Sequence, residues 1–128
     1  MTKTDNIIFV FGSNLAGRHG KGAALTAVLL FDAEYGVGVG PTGKAYAIPT
    51  KDERLRTLPL ASIQTYVDEF KSYAKEHPDL QFFVTPIGTG LAGYKNADIA
   101  PMFYGCPENC DLPPLWRKIL ESLKKLRA

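Results

Sequence analysis

Twice in this chain an apolar run of strand-forming residues stops at a glycine-rich turn, and a helical pattern follows. The clearer case is Phe82-Phe83-Val84-Thr85-Pro86-Ile87-Gly88-Thr89-Gly90-Leu91-Ala92-Gly93-Tyr94. Asn96 and Asp98 then open a helix that continues through Ile99, Ala100, Met102 and Phe103. Strand, glycine loop and helix start together make a phosphate cradle. Glycine lets backbone N–H groups approach an anion, and a helix N-terminus adds partial positive charge. Gly88, Gly90 and Gly93 have the spacing G-x-G-x-x-G, a weak signal by itself because glycine loops often only turn the chain.

The second case starts at Ile7-Ile8-Phe9-Val10-Phe11, a continuous apolar run that predicts a central strand covered on both faces. It ends in Gly12-Ser13-Asn14. The loop Leu15-Ala16-Gly17-Arg18-His19-Gly20-Lys21-Gly22 follows. Ala23 to Phe31 then form a helix that is apolar nearly all round, and such a helix is expected to be mostly buried. Two such units can open towards one sheet edge.

A third glycine cluster, Tyr35 to Gly43, contains two decoys. Gly38, Gly40 and Gly43 repeat the G-x-G-x-x-G spacing, and Gly38 to Lys44 imitate a P-loop. Ala45 stands where a P-loop needs Ser or Thr, and a strand pattern follows instead of a helix. The cluster reads as a turn-rich connection or hairpin leading into the strand Ala45 to Ile48. Pro49-Thr50-Lys51-Asp52 closes that strand, and a polar loop with Arg54 and Arg56 follows. Pro59 suits a first helical turn. Leu60, Ile63, Val67, Phe70 and Ala74 mark an amphipathic helix ending near His77-Pro78. A strand over Gln81 to Thr85 leads into the second glycine loop. Tyr104 to Pro114 is irregular. Leu115, Trp116, Ile119, Leu120, Leu123 and Leu126 predict a last helix docked on the sheet. The alternation predicts a single three-layer α/β/α domain over residues 1–128, with a mixed central sheet and its glycine loops at the strand carboxyl ends.

Composition excludes more than it assigns. With 45% hydrophobic and 22% charged residues over 128 positions, the chain reads as an ordinary globular domain. A formal charge of +2, with interspersed signs, gives no basis for a nucleic-acid or membrane partner. Lys124, Lys125 and Arg127 read as a solvated helix end. Met1-Thr2-Lys3-Thr4-Asp5 is polar, with no export signal, so the expectation is a cytoplasmic protein. Cys106 and Cys110 are then expected as free thiols. Two thiols alone do not make a zinc site, and no metal or cofactor is expected.

These residues resemble a macro domain, the ADP-ribose-binding family. Its first loop pattern is matched by Gly12-Ser13-Asn14 and His19-Gly20-Lys21-Gly22-Ala23-Ala24. Its diphosphate loop, Pro-x-Ile-Gly-x-Gly-x-x-Gly-Tyr/Phe, is matched by Pro86 to Tyr94, lacking one residue after the proline. The likeness spans Ile7 to Phe103 and points to small bacterial or phage proteins. It implies a nucleotide ligand such as ADP-ribose. Gly88, Thr89, Gly90, Leu91, Ala92 and Gly93 would hold the diphosphate. Gly12, Ser13, Asn14, Gly20, Lys21 and Gly22 would hold the distal ribose, with the Tyr94 ring against it. One branch removes ADP-ribose from carboxylates or DNA bases, and its Thr-Lys resembles Thr50-Lys51. On that reading nucleic acid enters only as a modified substrate. The branch's loop aspartate is replaced here by Ala92. Its adenine-contacting aspartate has no counterpart beyond Asp5.

The candidate catalytic residues are therefore Asn14, His19 and Lys51, each with a plainer alternative. Asn14 is a turn residue or a ribose ligand. His19 is structural or moves a proton. Lys51 is a solvated cation, a phosphate contact or a nucleophile, with Asp52 as a possible ion-pair partner and Arg54 as an alternative diphosphate contact. Function divides accordingly: an ADP-ribosyl hydrolase, a nucleotide sensor or sponge without turnover, or a partner-binding structural domain.

Overall fold

The computed structural model describes residues 6–127. The polar start Met1 to Asp5, with the candidate adenine contact Asp5, lies outside the described residues. Ten elements follow in order. They are β1 (Ile7–Asn14), α1 (Gly22–Phe31), β2 (Gly40–Thr42), β3 (Ala45–Lys51), α2 (Leu60–Glu76), β4 (Gln81–Val84), α3 (Asn96–Ile99), a 3-10 turn (Ala100–Phe103), β5 (Cys110–Asp111) and α4 (Pro114–Arg127). The strands form one sheet in the order β2-β3-β1-β4-β5. β1 pairs parallel with both β3 and β4, β4 pairs parallel with β5, and β2 pairs antiparallel with β3. The expected mixed sheet between helical layers is present, and the third glycine cluster leads into the β2–β3 hairpin.

β1 is central because its apolar run can be buried on both sides. Val10 joins Tyr46, Ile48, Val67, Phe70 and Phe82 under α2 and α4. Phe9 and Phe11 join Ala45 and Ala47 on the opposite face, under Ala24 and Ala27 of α1. Alternating side chains along β1 and β3 thus feed two separate cores. The larger core is aromatic: Phe70 meets Tyr46 at 5.1 Å and Phe82 at 5.4 Å between ring centroids. Trp116 of α4 is fully buried against Phe103, and its indole N–H donates to Asn96 Oδ1 at 2.8 Å. The last helix therefore docks as its spacing predicts, although Leu115 and Leu126 face solvent.

Three elements differ from the sequence expectation. α1 is not mostly buried: only Ala24 and Ala27 are, while Leu29 and Leu30 are 70% and 73% exposed. An all-round apolar helix carries no periodic signal for which face turns inward, and among the described residues no second element covers its outer side. The helix opened at Asn96 makes one α turn and then tightens to 3-10 at Pro101, which lacks the N–H that an α-helix needs there. β5 is a two-residue strand inside the irregular stretch. The Asn109 carbonyl accepts from Phe82 N–H at 2.8 Å, and Asn109 Nδ2 lies 3.0 Å from the carbonyls of Ala74, His77 and Leu80. Cys106 and Cys110 are free thiols joined by a hydrogen bond, which lowers the Cys106 pKa and raises that of Cys110. Among the described residues no helix is long and apolar enough to cross a membrane.

Phe70 has no exposed surface and joins α2 to the aromatic core. Phe70→Ala is expected to cost about 3–5 kcal/mol in urea unfolding, whereas Leu126→Ala, at an exposed position, should stay within about 0.5 kcal/mol.

Candidate functional site

β1, β3 and β4 all point the same way, so their carboxyl ends meet at one edge of the sheet. The chain goes from β1 through α1 and the hairpin to β3 on one side. It then returns through α2 to β4 on the other. Strand order reverses about β1, and ligand crevices in open α/β sheets lie at such a reversal. A cleft of about 740 Å³ opens there.

Its walls are the two glycine loops. Gly12, Ser13, Asn14, Gly20, Lys21 and Gly22 line one side, and Gly88, Thr89, Gly90, Leu91 and Ala92 the other. Thr50 and Lys51 form part of the floor at the end of β3. In the second loop the N–H groups of Gly88, Gly90, Leu91 and Ala92 have no acceptor among the described residues, while those of Ile87, Thr89, Gly93 and Tyr94 are bonded within the loop. Across the cleft, the first turn of α1 leaves the N–H groups of Gly22, Ala23 and Ala24 without acceptors among the described residues, and Lys21 provides no side-chain cap. Arg18, Lys21 and Lys51 contribute cationic side chains to the lining, and none of the described lining residues is Asp or Glu. A cleft with such donors and no carboxylate suits an anion.

The sequence-predicted residues fall into two groups. Gly93, Tyr94 and His19 are not in the lining. The Tyr94 hydroxyl donates to the Leu58 carbonyl at 2.6 Å, and Thr57 Oγ1 donates to the Ala92 carbonyl at 3.0 Å. Both bonds brace the glycine loop against the segment before α2. His19 is 1% exposed and wedged edge-on against Phe11 and Tyr35, with centroids at 5.2 and 5.9 Å. Its Nε2 lies 2.8 Å from the Val37 carbonyl and carries the hydrogen, because a carbonyl only accepts. Nδ1 is buried without a partner among the described residues. His19 holds the loop from beneath rather than reaching the cleft.

Asn14 lines the cleft, but its amide already serves the loop. Oδ1 accepts from Arg18 N–H at 2.9 Å, and Nδ2 donates to the Arg18 carbonyl at 2.8 Å. One amide hydrogen remains for a ligand. Lys51 is half-buried, and its ammonium has no hydrogen-bond or ion-pair partner among the described residues. Asp52 does not pair with it. The Asp52 carboxylate accepts from the backbone N–H groups of Arg56 and Arg54, both at 2.9 Å, and pairs with Arg56 Nε at 3.3 Å. The Arg56 backbone bond is the main reason its pKa is lowered. Arg54 is exposed and outside the lining.

Sequence reasoning missed the brace beneath the first loop. Gly36 N–H donates to the Gly17 carbonyl at 2.8 Å, and Ser13 Oγ donates to the Gly38 carbonyl. A Cβ on Gly38 would stand 2.1 Å from the Asn14 carbonyl oxygen. The decoy glycine cluster is therefore a packing surface, and its long-range contact leaves no local motif. Tyr35 and Leu55 were also missed as apolar lining residues, and Leu91, expected there for its backbone, adds its side chain; all three are partly exposed. Leu55 has φ of 63°, unusual for a branched side chain, in the turn that Asp52 caps.

No protein-family model matches the chain, and no curated protein or solved structure is significantly similar to it.

If Tyr94 is a brace, Tyr94→Phe should lower stability by about 1 kcal/mol in chemical denaturation by orphaning the Leu58 carbonyl. An unchanged midpoint would remove that role.

Proposed function

We propose that this cleft binds ADP-ribose or a related nucleotide, with the diphosphate between the Gly88–Ala92 loop and the N-terminus of α1. One observation carries the reading: acceptor-free N–H groups face the same cleft from two loops, beside three cations and no carboxylate. A diphosphate carries several acceptor oxygens over a few ångströms and can engage both loops, which a single carboxylate cannot span. The volume suits a nucleotide-sized ligand. Tyr35, Leu55 and Leu91 offer apolar surface to a base or sugar, which an inorganic polyanion would not use. The resemblance of Pro86 to Tyr94 to a macro-domain diphosphate loop supports the same ligand class.

The site favours binding over turnover. Hydrolysis needs a group to activate water or a deprotonated nucleophile. Ala92 supplies no carboxylate, His19 is sealed beneath the loop, and no carboxylate or histidine among the described lining residues can take a proton from Lys51. Lys51 and Lys21 act instead as phosphate contacts, and Asn14 orients the loop. The protein then serves as a sensor or sponge of a nucleotide signal.

ADP-ribose is expected to raise the melting temperature and give a saturable calorimetric isotherm, since a ligand of the native state stabilises it. A flat response to a nucleotide panel would leave only a structural role.

Gly90 has no positive φ, and a Cβ there meets nothing within 4 Å. Gly90→Val should therefore keep stability within about 0.5 kcal/mol while abolishing ADP-ribose binding by crowding the phosphate.

Lys51→Ala should weaken binding about tenfold or more, the value of a charge-assisted hydrogen bond. Neither form should cleave ADP-ribosyl-glutamate. Borohydride trapping during incubation with that substrate, read by intact mass, checks this: a sugar adduct dependent on Lys51 would contradict binding without turnover.

A further inference from the structure

The outer face of α1 is the least explained surface of the molecule. Gly22, Leu25, Thr26, Leu29 and Leu30 recur at i, i+3, i+4, i+7 and i+8, the spacing of a core-facing stripe. Here that stripe faces outward: Leu25, Leu29 and Leu30 are exposed, and Thr26 is half-exposed. The ten residues of α1 include no charge. The other long helices behave ordinarily. α2 turns Asp68, Glu69, Lys75 and Glu76 outward, and α4 turns Arg117, Lys118 and Glu121 outward. Apolar surface also extends beside α1. Phe83 is 48% exposed and stacks through Phe9 onto Phe31 of α1. The sheet has α2 and α4 on one face and α1 alone on the other, leaving Phe83 uncovered.

The charges flanking this stripe select its occupant. Arg18 and Lys21 lie before its start, Asp32 and Glu34 after its end. All four are exposed, and none has an ion-pair partner among the described residues. Lys21 and Asp32 stand about 16 Å apart along the axis, at 1.5 Å per residue. A two-fold axis passing between Thr26 and Ala27 sets a second α1 antiparallel to the first. It brings Lys21 of each copy to Asp32 of the other, as an isologous contact requires. The helix dipoles are then opposed, and the small residues Gly22 and Thr26 allow close approach. The stripe is complementary to itself in charge.

We propose that α1 is the contact helix of a symmetric homodimer of this chain. The contact shares Lys21 and Gly22 with the rim of the ligand cleft, while Leu25, Leu29 and Leu30 lie outside that cleft.

Sedimentation of the full chain should give twice the 14.0 kDa chain mass, with dissociation promoted by salt. Leu29→Glu, at a solvent-facing helical position, should keep its circular dichroism and sediment as a single chain. Thr26→Cys lies beside the two-fold axis. In a Cys106→Ser, Cys110→Ser background under mild oxidation it should form an intersubunit disulfide, while Leu115→Cys on α4 should not. A wild type that stays monomeric at its solubility limit overturns the proposal and leaves the face to a different protein. A Leu29→Glu dimer, or no Thr26→Cys cross-link, overturns it equally.

Discussion

The parallel pairing of β1 on both of its edges is the constraint on which the rest depends. Because β3 and β4 run alongside it in the same direction, three strands deliver their carboxyl ends to one place. Parallel neighbours require long crossovers, and here those are α1 with the hairpin on one side and α2 on the other. The first crossover leaves β1 towards β3, and the second passes from β3 to β4 on the other edge of β1, so the loops that follow β1 and β4 stand side by side and form the cleft walls. Burial of Val10 and Phe11 holds the strand in this position. A charge at either would break the site by breaking the sheet.

Above that strand the two loops hold some groups in internal bonds and leave others free in the cleft. A backbone N–H turned towards a ligand cannot also hold its own loop together. Rigidity must come from other groups. In the first loop it comes from the Asn14 amide, from His19 on Val37 and from the Gly36 to Gly38 backbone. In the second it comes from the Tyr94 hydroxyl and from Thr57. Several polar side chains that look like ligand contacts in sequence are committed in this way. The groups that remain free are the backbone N–H groups themselves and the lysines.

How much of this the sequence shows follows from how local each cause is. Ile7 to Phe11 and Phe82 to Val84 are legible as strands because apolar runs of strand formers need no distant partner to be recognised. The cleft loops are legible because glycines after a strand constrain the backbone at that point. The orientation of α1 is not, since Ala23 to Phe31 lacks the alternation that would mark an inward face. β5 is invisible because two residues carry no pattern, and Asn109 recruits them through carbonyls 29 to 35 positions away. His19 sits in a glycine loop, which suggests a ligand role. Its burial is decided by Phe11 and Tyr35, neither of them adjacent in sequence. Ala92 is the opposite case: that its side chain carries no carboxylate is legible directly.

The central claim is that backbone N–H groups of two loops hold a diphosphate, and amide-resolved NMR tests it most directly. Titration of the labelled protein with ADP-ribose should shift the amide protons of Gly88, Gly90, Leu91 and Ala92 together with those of Gly22, Ala23 and Ala24. The amides of Gly93 and Tyr94, bonded within the loop, should move less. Shifts confined to one loop, or centred on residues outside the cleft, would contradict the account.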